Sequence, residues 1–164
     1  MMRRTAILGL CAALIGVGLV GGSLLPAASQ ETRTFTRCEK NNRGFEKFVN
    51  VGKRGLSAGD WSVASSPVFN PQGGASVGRT YLRFTIIKPI GQRDARSLVD
   101  GVVALGRGKV SFYGTFKFSG FRQGVTAPIT GGTGSFAGAG GTLTARSGRC
   151  DGAAGTRLTF EVVT

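Results

Sequence analysis

The stretch that decides the fold is "ITGGTGSFAGAGGTLTAR", residues 129–146, in which six glycines fall within eleven positions. A phosphate-binding P-loop needs Gly-Lys followed by Ser or Thr, and this stretch has no lysine. A dinucleotide fingerprint needs Gly-x-Gly-x-x-Gly before a helix, but here the third glycine comes one residue late and no helical pattern follows. The stretch therefore predicts a tight turn between two strands, because glycine reaches positive φ without a Cβ penalty.

The segments around this turn alternate with the period of β-strands, and no long segment after residue 30 has the period of a helix. Turn signals such as "NPQGG", "PIGQRD" and "CDGAAG" separate them. Short strands at this spacing suggest an antiparallel sandwich or barrel, and one apolar face per strand favours a closed barrel of eight strands. The apolar faces comprise Val110, Phe112, Gly114, Phe116 and Phe118; Leu82, Phe84 and Ile86; and Leu158, Phe160 and Val162.

The first 29 residues have the pattern of a secretory signal peptide. Arg3 and Arg4 precede an apolar core, and small residues at positions 27–29 predict cleavage before Gln30. An uncleaved membrane anchor is the alternative, since no charge lies between Arg4 and Glu31, but glycines and Pro26 interrupt the run. The pattern therefore predicts a secreted or extracytoplasmic protein with a single domain over residues 30–164.

Two cysteines, Cys38 and Cys150, remain after the signal peptide. In an oxidising compartment they most simply form one disulfide, and two buried free thiols are the alternative. The chain has no histidine, and two cysteines alone make a poor zinc site. We therefore expect no metal site and no cofactor.

The predicted domain is strongly basic. Nineteen Lys and Arg (21 less Arg3 and Arg4) stand against eight Asp and Glu, a balance of +11. Such a charge draws a protein to polyanions, but the bases are scattered and form no run of five. The pattern indicates a solvated basic surface that can meet an anionic cell-envelope surface, and it disfavours nucleic acid as the specific partner.

The glycine turn resembles the Gly-Gly-Thr/Ser-Gly-x-Phe-x-Gly-Ala-x-Gly turn of allene oxide cyclases and dirigent proteins. Three further stretches resemble these families in the same order: "GDWSVASSPVFN" (59–70), "ASVGRTYLRFTI" (75–86) and "GKVSFYGTFKF" (108–118). The resemblance covers roughly residues 59–146. It implies a calycin-like, eight-stranded antiparallel closed barrel, a homotrimer, and a lumen that holds a small apolar or phenolic molecule.

The chain departs from the families' chemical groups at several positions. Asn70 follows Val68-Phe69 where dirigent proteins have an acid, and "SGFRQGVTAP" before the glycine turn has no acid at all. Val63 stands where allene oxide cyclases have a proline. The first-strand glutamate of the cyclases has its nearest counterpart in Glu39, in poor register. The resemblance thus supports the scaffold better than any reaction.

We assign no catalytic residue from the sequence. Asp60, in the Gly-Asp pair, is the candidate acid, and an Asx turn before a strand is its alternative. For the glycine turn we assign a structural role to Gly131, Gly132, Gly134 and Gly138. The candidates for a ligand-binding lumen are Trp61, Asn70, Arg79, Phe112 and Phe116, although a packing role for the aromatic residues and an exposed position for Arg79 are alternatives.

Two functions fit these observations. In the first, a secreted barrel binds a small apolar or phenolic molecule and steers its cyclisation or coupling by holding one conformer, which requires positioning more than special side chains. In the second, a non-catalytic basic barrel binds an envelope polymer or a protein partner. The interior discriminates them: a cavity with a few convergent polar groups favours the first, and an interior filled by phenylalanines favours the second.

Overall fold

A computed structural model describes residues 30–40 and 44–164, so the predicted signal peptide, residues 1–29, lies outside the described part. These described residues form nine strands and one short 3-10 helix, Phe118–Arg122. The strands are β1 (Thr32–Lys40), β2 (Phe45–Val49), β3 (Trp61–Asn70), β4 (Gly73–Pro89), β5 (Ala95–Leu105), β6 (Gly108–Lys117), β7 (Val125–Gly134), β8 (Gly140–Cys150) and β9 (Ala153–Val163).

The nine strands form a closed antiparallel barrel, as the sequence predicts. Its wall has eight strand positions, here called staves. Strands β2 to β9 pair in chain order, and β9 pairs with β1. The barrel closes where β1 pairs with β3, at Cys38 opposite Phe69 and Glu39 opposite Val68. Strand β2 then continues along β3, from Phe45 opposite Ser65 onward, so that β1 and β2 together make one stave. The sequence pattern did not predict β2.

The predicted apolar faces point into the barrel. Phe160, Val103 and Val110 are fully buried, and they belong to one core cluster with Phe112 and Leu143. Tyr81 and Tyr113, on the opposite faces of β4 and β6, are about half exposed. Alternation along each strand thus separates a closed apolar interior from a polar outer wall.

The glycine stretch is a turn between β7 and β8. Gly134 and Gly138 have positive φ values of 63° and 74°, and the amide of Ala137 donates to the Gly134 carbonyl at 3.1 Å. Gly132 has no positive φ, but a Cβ there would lie 2.3 Å from the Phe136 carbonyl oxygen. Gly131 lies within β7, beside a register shift in the β6–β7 pairing.

A disulfide joins Cys38 in β1 to Cys150 at the end of β8, which confirms the predicted pairing. Both cysteines are buried. The bond passes over the start of β9 at Gly155, where an added Cβ would lie 3.0 Å from Cys150 Sγ. Such a bond is typical of proteins from an oxidising, extracytoplasmic compartment.

Candidate functional site

One end of the barrel interior is filled by aromatic rings. Phe35 stacks on Phe160 with ring centroids 4.7 Å apart, and Phe136 lies 6.0 Å from Phe35. The guanidinium of Arg37 covers Phe35 at 5.0 Å from the ring centroid. This end, here called the closed end, is therefore packed with side chains.

The remaining part of the interior, here called the lumen, encloses a free volume of about 80 Å³. Its wall is apolar except at Glu39, Thr80 and Thr156. Phe112, Leu143 and Leu158 bound it toward the core cluster, so part of the barrel interior is open and part is packed solid.

Glu39 is the one ionisable residue among the described residues that line the lumen. Burial raises the pKa of its carboxyl above the ordinary glutamate value, because the apolar surroundings disfavour the charged form. The nearby side chain of Thr80 partly opposes this rise in the pKa of Glu39. Within the described part of the chain, however, neither Glu39 Oε1 nor Thr80 Oγ1 completes a hydrogen bond. Two buried polar atoms thus face the lumen without partners, which costs free energy unless something else satisfies them.

A second pocket of about 420 Å³, here called the vestibule, adjoins the lumen. Both cavities share Phe84, Phe116 and Phe121 in their walls. The 3-10 helix follows β6 directly and places Phe118 and Phe121 near Phe116, at centroid distances of 5.6 and 6.5 Å. The rest of the vestibule wall is Glu46, Phe48, Leu56, Trp61, Ser62 and Ile86.

Three of the five lumen candidates from the sequence lie at this site. Phe112 and Phe116 line the lumen, and Phe116 also lines the vestibule. Trp61, at the start of β3, lines the vestibule. Alternation placed the two phenylalanines correctly, because β6 presents every second side chain to the interior.

The structure places Asn70 and Arg79 away from the lumen. Asn70 is exposed at the end of β3, next to the turn into β4. Arg79 is exposed on the outer face of β4, where it donates a hydrogen bond to Ser65 Oγ at 2.9 Å. Arg79 alternates with the inward-facing Thr80 and Leu82, so its side chain lies on the outside.

Asp60 is fully buried, but it serves the loop before β3 and does not line the lumen. Its carboxylate accepts hydrogen bonds from the amide of Ser57 at 2.7 Å and from the amide of Val51 at 2.9 Å. Its own carbonyl accepts from the Ile86 amide at 2.7 Å. Asp60 thus fixes the loop that brings Leu56 and Trp61 to the vestibule.

Glu46 and Thr80 were not recognised from the sequence, and Glu39 was noted only as a counterpart in poor register. Thr80 shares the inward face of β4 with Leu82 and Phe84, but nothing in the sequence distinguishes it from the many other strand threonines. Glu46 belongs to β2, a strand without clear alternation. The sequence does contain a signal for Glu39. In "TFTRCEK", the residues Phe35, Arg37 and Glu39 share one face of a strand, so Glu39 lies on the same side as an aromatic residue.

No known protein family matches the chain, and no curated protein sequence matches it. Solved structures do match. A pyocyanin demethylase superposes with a TM-score of 0.65 at 20% identity, over 80% of this chain and 100% of that one. The pterocarpan synthase dirigent protein GePTS1 superposes with a TM-score of 0.61 at 15% identity, over 92% of this chain and 98% of that one. The chain has the barrel fold of the allene oxide cyclase and dirigent type.

A third structure of this dirigent-type barrel fold is AbnU, an exo-specific intermolecular Diels-Alderase. It superposes with a TM-score of 0.61 at 17% identity, over 82% of this chain and 99% of that one. At such identities the match establishes the fold alone, and the site must be argued from its own residues.

Residues 30–40 and 44–164 contain no group of three or more His, Cys, Asp or Glu that could hold a metal ion. Over the same residues no helix has the length and apolar character needed to cross a membrane.

Proposed function

We propose that this barrel binds a small apolar or phenolic molecule in its lumen and steers the cyclisation or coupling of that molecule. The observation that carries the proposal is Glu39, a buried carboxyl with an unsatisfied oxygen in a cavity that is otherwise almost entirely apolar. A pocket with apolar walls and a few convergent polar groups is the usual form of a small-molecule site.

The apolar wall and the two polar atoms contribute to ligand binding in different ways. Burial of an aromatic ring against Phe112, Phe116 and Leu158 favours binding by about 25 cal/mol for each Å² removed from water. A hydroxyl or carbonyl on that ring, placed at Glu39 and Thr80, supplies the hydrogen bonds that these groups lack.

The site suits an isomerisation better than a reaction that needs a co-reactant. A cyclisation redistributes bonds within one molecule, so the protein must hold one conformer and move at most a proton. Glu39 can give a proton to a ligand oxygen or take one from it, and its raised pKa brings it closer to neutral pH, where such transfer is most efficient. The fold matches to a dirigent protein and to an intermolecular Diels-Alderase support the broader class of cyclisation or coupling reactions.

The experiment is a binding titration with 2-naphthol, which is apolar and phenolic, followed by the fluorescence of Trp61, the one tryptophan of the chain. We expect saturable binding that Ala145→Phe abolishes, because Ala145 lines the lumen. Ala154→Phe is the control, since Ala154 is exposed on β9. Equal binding by both variants, or no saturable binding by the wild type, contradicts the proposal. If 2-naphthol binds as expected, mass spectrometry of small molecules that co-purify with the protein would identify the natural ligand.

A second candidate function is supported by the outer wall. Arg146 on β8 and Arg157 on β9 lie directly opposite each other, and both are exposed. Like charges in this position are destabilising, and neither arginine belongs to a salt bridge within the described part of the chain. An anionic envelope polymer would neutralise the pair. Arg146→Gln with Arg157→Gln should then weaken binding of polyphosphate and reduce its salt dependence, whereas Arg79→Gln with Arg107→Gln should have little effect.

We also propose that residues 1–29 are removed on secretion and that residues 30–164 act as a single domain. The predicted signal pattern and the disulfide support this. N-terminal sequencing of the protein from the culture medium should give Gln30 as the first residue.

A further inference from the structure

The charges that line the two cavities are opposite in sign to the charge of the protein. Residues 30–164 have nineteen bases and eight acids. Among the described residues, however, the only ionisable side chains that line the lumen or the vestibule are Glu39 and Glu46. The protein is basic overall, but the ionisable side chains that line the described part of the two cavities are acidic. This local negative charge restricts the charge of the ligand that can bind.

Two of the bases close in sequence to these acids, Arg37 and Lys47, point elsewhere. Arg37 precedes Glu39 on the same face of β1, but its guanidinium covers Phe35 at the closed end and donates to the Thr36 carbonyl at 2.8 Å. Lys47 alternates with Glu46 and lies opposite Val63, on the outer face of β2. Within the described residues, Glu46 belongs to none of the salt bridges. Its carboxylate is therefore exposed to an incoming ligand.

The vestibule wall is rich in aromatic rings as well as acidic. Phe48, Trp61 and Phe118 line it together with Glu46. Phe84 and Phe116 pack edge to face at its inner boundary, with centroids 5.6 Å apart. Rings of this kind around a carboxylate attract organic cations, because the negative ring face and the negative oxygen act on the same positive charge. The same wall repels carboxylates and phosphates.

We propose that the vestibule is a binding site for an aromatic organic cation, such as a quaternary ammonium or an N-alkylated heteroaromatic ring, with Glu46 as the residue that selects its charge. The inference rests on the proposed ligand-binding function of the lumen and specifies the class of molecule. The cationic group occupies the vestibule beside Glu46, and the apolar part of the ligand extends past Phe116 into the lumen. Anionic ligands of the same shape are excluded.

The test compares three biphenyl probes of matched size: 4-biphenylmethyl-trimethylammonium, 4-biphenylmethanol and 4-biphenylcarboxylate. Binding is followed by Trp61 fluorescence at moderate salt. The overall charge of the protein favours the carboxylate everywhere outside the site, so a preference for the cation must come from the cavity. We expect the cation to bind about tenfold more tightly than the carboxylate, with the alcohol between them.

Glu46→Gln should weaken binding of the cation about threefold, a modest factor because Glu46 is exposed, and should leave the alcohol unchanged. Glu161→Gln is the control, since Glu161 is exposed on the outer face of β9. A carboxylate that binds as tightly as the cation, or a Glu46→Gln variant that behaves like Glu161→Gln, overturns the inference. If the alcohol binds without any preference for the cation, only this inference is wrong; if no probe binds, the proposed function is wrong as well.

Discussion

At the scale of single residues, the fully buried Asp60 and the partly buried Glu39 have different environments. Asp60 accepts two backbone hydrogen bonds, so its carboxylate is fully engaged in holding a loop. Glu39 faces an apolar cavity and has an oxygen without a partner. A buried polar group without a partner destabilises a fold, and a ligand that pairs with Glu39, as we propose, would remove that cost.

Glu39→Gln should change how stability depends on pH. The folded-state pKa of Glu39 is raised, so its protonated form favours folding; the stabilisation is full below the unfolded pKa and is lost as pH rises through the folded pKa. The variant should lack this loss and should therefore be more stable than the wild type at neutral pH. Urea unfolding from pH 4 to pH 8 measures both curves.

The difference between variant and wild type isolates Glu39 from other acids. Hydrogen bonds from Ser119 lower the pKa of Asp94, which contributes in the opposite direction but equally in both proteins. Glu161→Gln is the matched control and should keep the wild-type slope. Parallel curves for wild type and Glu39→Gln would show that the carboxyl is not desolvated.

Asp60→Ala should lower the free energy of unfolding by about 2–3 kcal/mol, because it leaves the amides of Val51 and Ser57 without their acceptor. Asp100→Ala is the control. It removes an exposed salt bridge with Arg83 and should cost at most about 1 kcal/mol. Thermal unfolding measures both. Equal losses of stability would mean that the loop before β3 does not depend on Asp60.

At the scale of elements, the β7–β8 turn depends on glycine for two separate reasons. Gly134 needs a positive φ and also touches the neighbouring turn, since a Cβ there would lie 2.3 Å from the Arg107 carbonyl oxygen. Gly132 needs only the space. The turn therefore packs against the β5–β6 turn and is not open to a phosphate.

Gly134→Val should destabilise the fold by about 2 kcal/mol or more, from backbone strain together with the clash. Gly132→Val should also destabilise, through the clash alone. Gly140→Ala is the matched control within the same stretch, because a Cβ at Gly140 meets nothing within 4 Å. Melting temperatures of the three variants test the order. A stable Gly134→Val variant would contradict the assigned turn geometry.

At the scale of the whole molecule, the disulfide ties the first strand to the last hairpin across a sequence separation of 112 residues. Reduction should lower the free energy of unfolding by about 4–5 kcal/mol in the loop-entropy description. Guanidinium unfolding with and without reductant measures the loss. Alkylation followed by intact mass is the control: the unreduced protein should take no label at Cys38 or Cys150, and two labels would contradict the bond.

The homotrimer implied by the family resemblance stays a prediction. Tyr81 and Tyr113 are about half exposed on the outer wall, and Val163 is partly buried near the end of β9. Analytical ultracentrifugation at moderate salt should show one species of three chains. Tyr81→Lys with Tyr113→Lys should shift it toward the monomer, whereas Thr126→Lys, on β7, should not. A wild-type protein that sediments as a single chain would contradict the trimer.

The sequence alone predicted most of the strands, the glycine turn and the disulfide, but it did not predict β2. These features depend on local chemistry: alternation places Phe112 and Phe116 inward, glycine permits the turn at Gly134, and two cysteines leave one pairing. Each can be recognised within a short window or by counting. The resemblance through the glycine turn then indicated the barrel, which the fold confirms.

The full set of residues that form the site could be identified only from the tertiary structure. Glu39, Thr80 and Glu46 come from three different strands, and their convergence depends on barrel closure between β1 and β3 and on the continuation of that stave by β2. Asn70 and Arg79 lay in matching stretches of sequence, yet the first ends a strand and the second points outward. The pKa of a carboxyl and the charge of a cavity depend on what surrounds a residue in space, and a linear pattern does not contain that information.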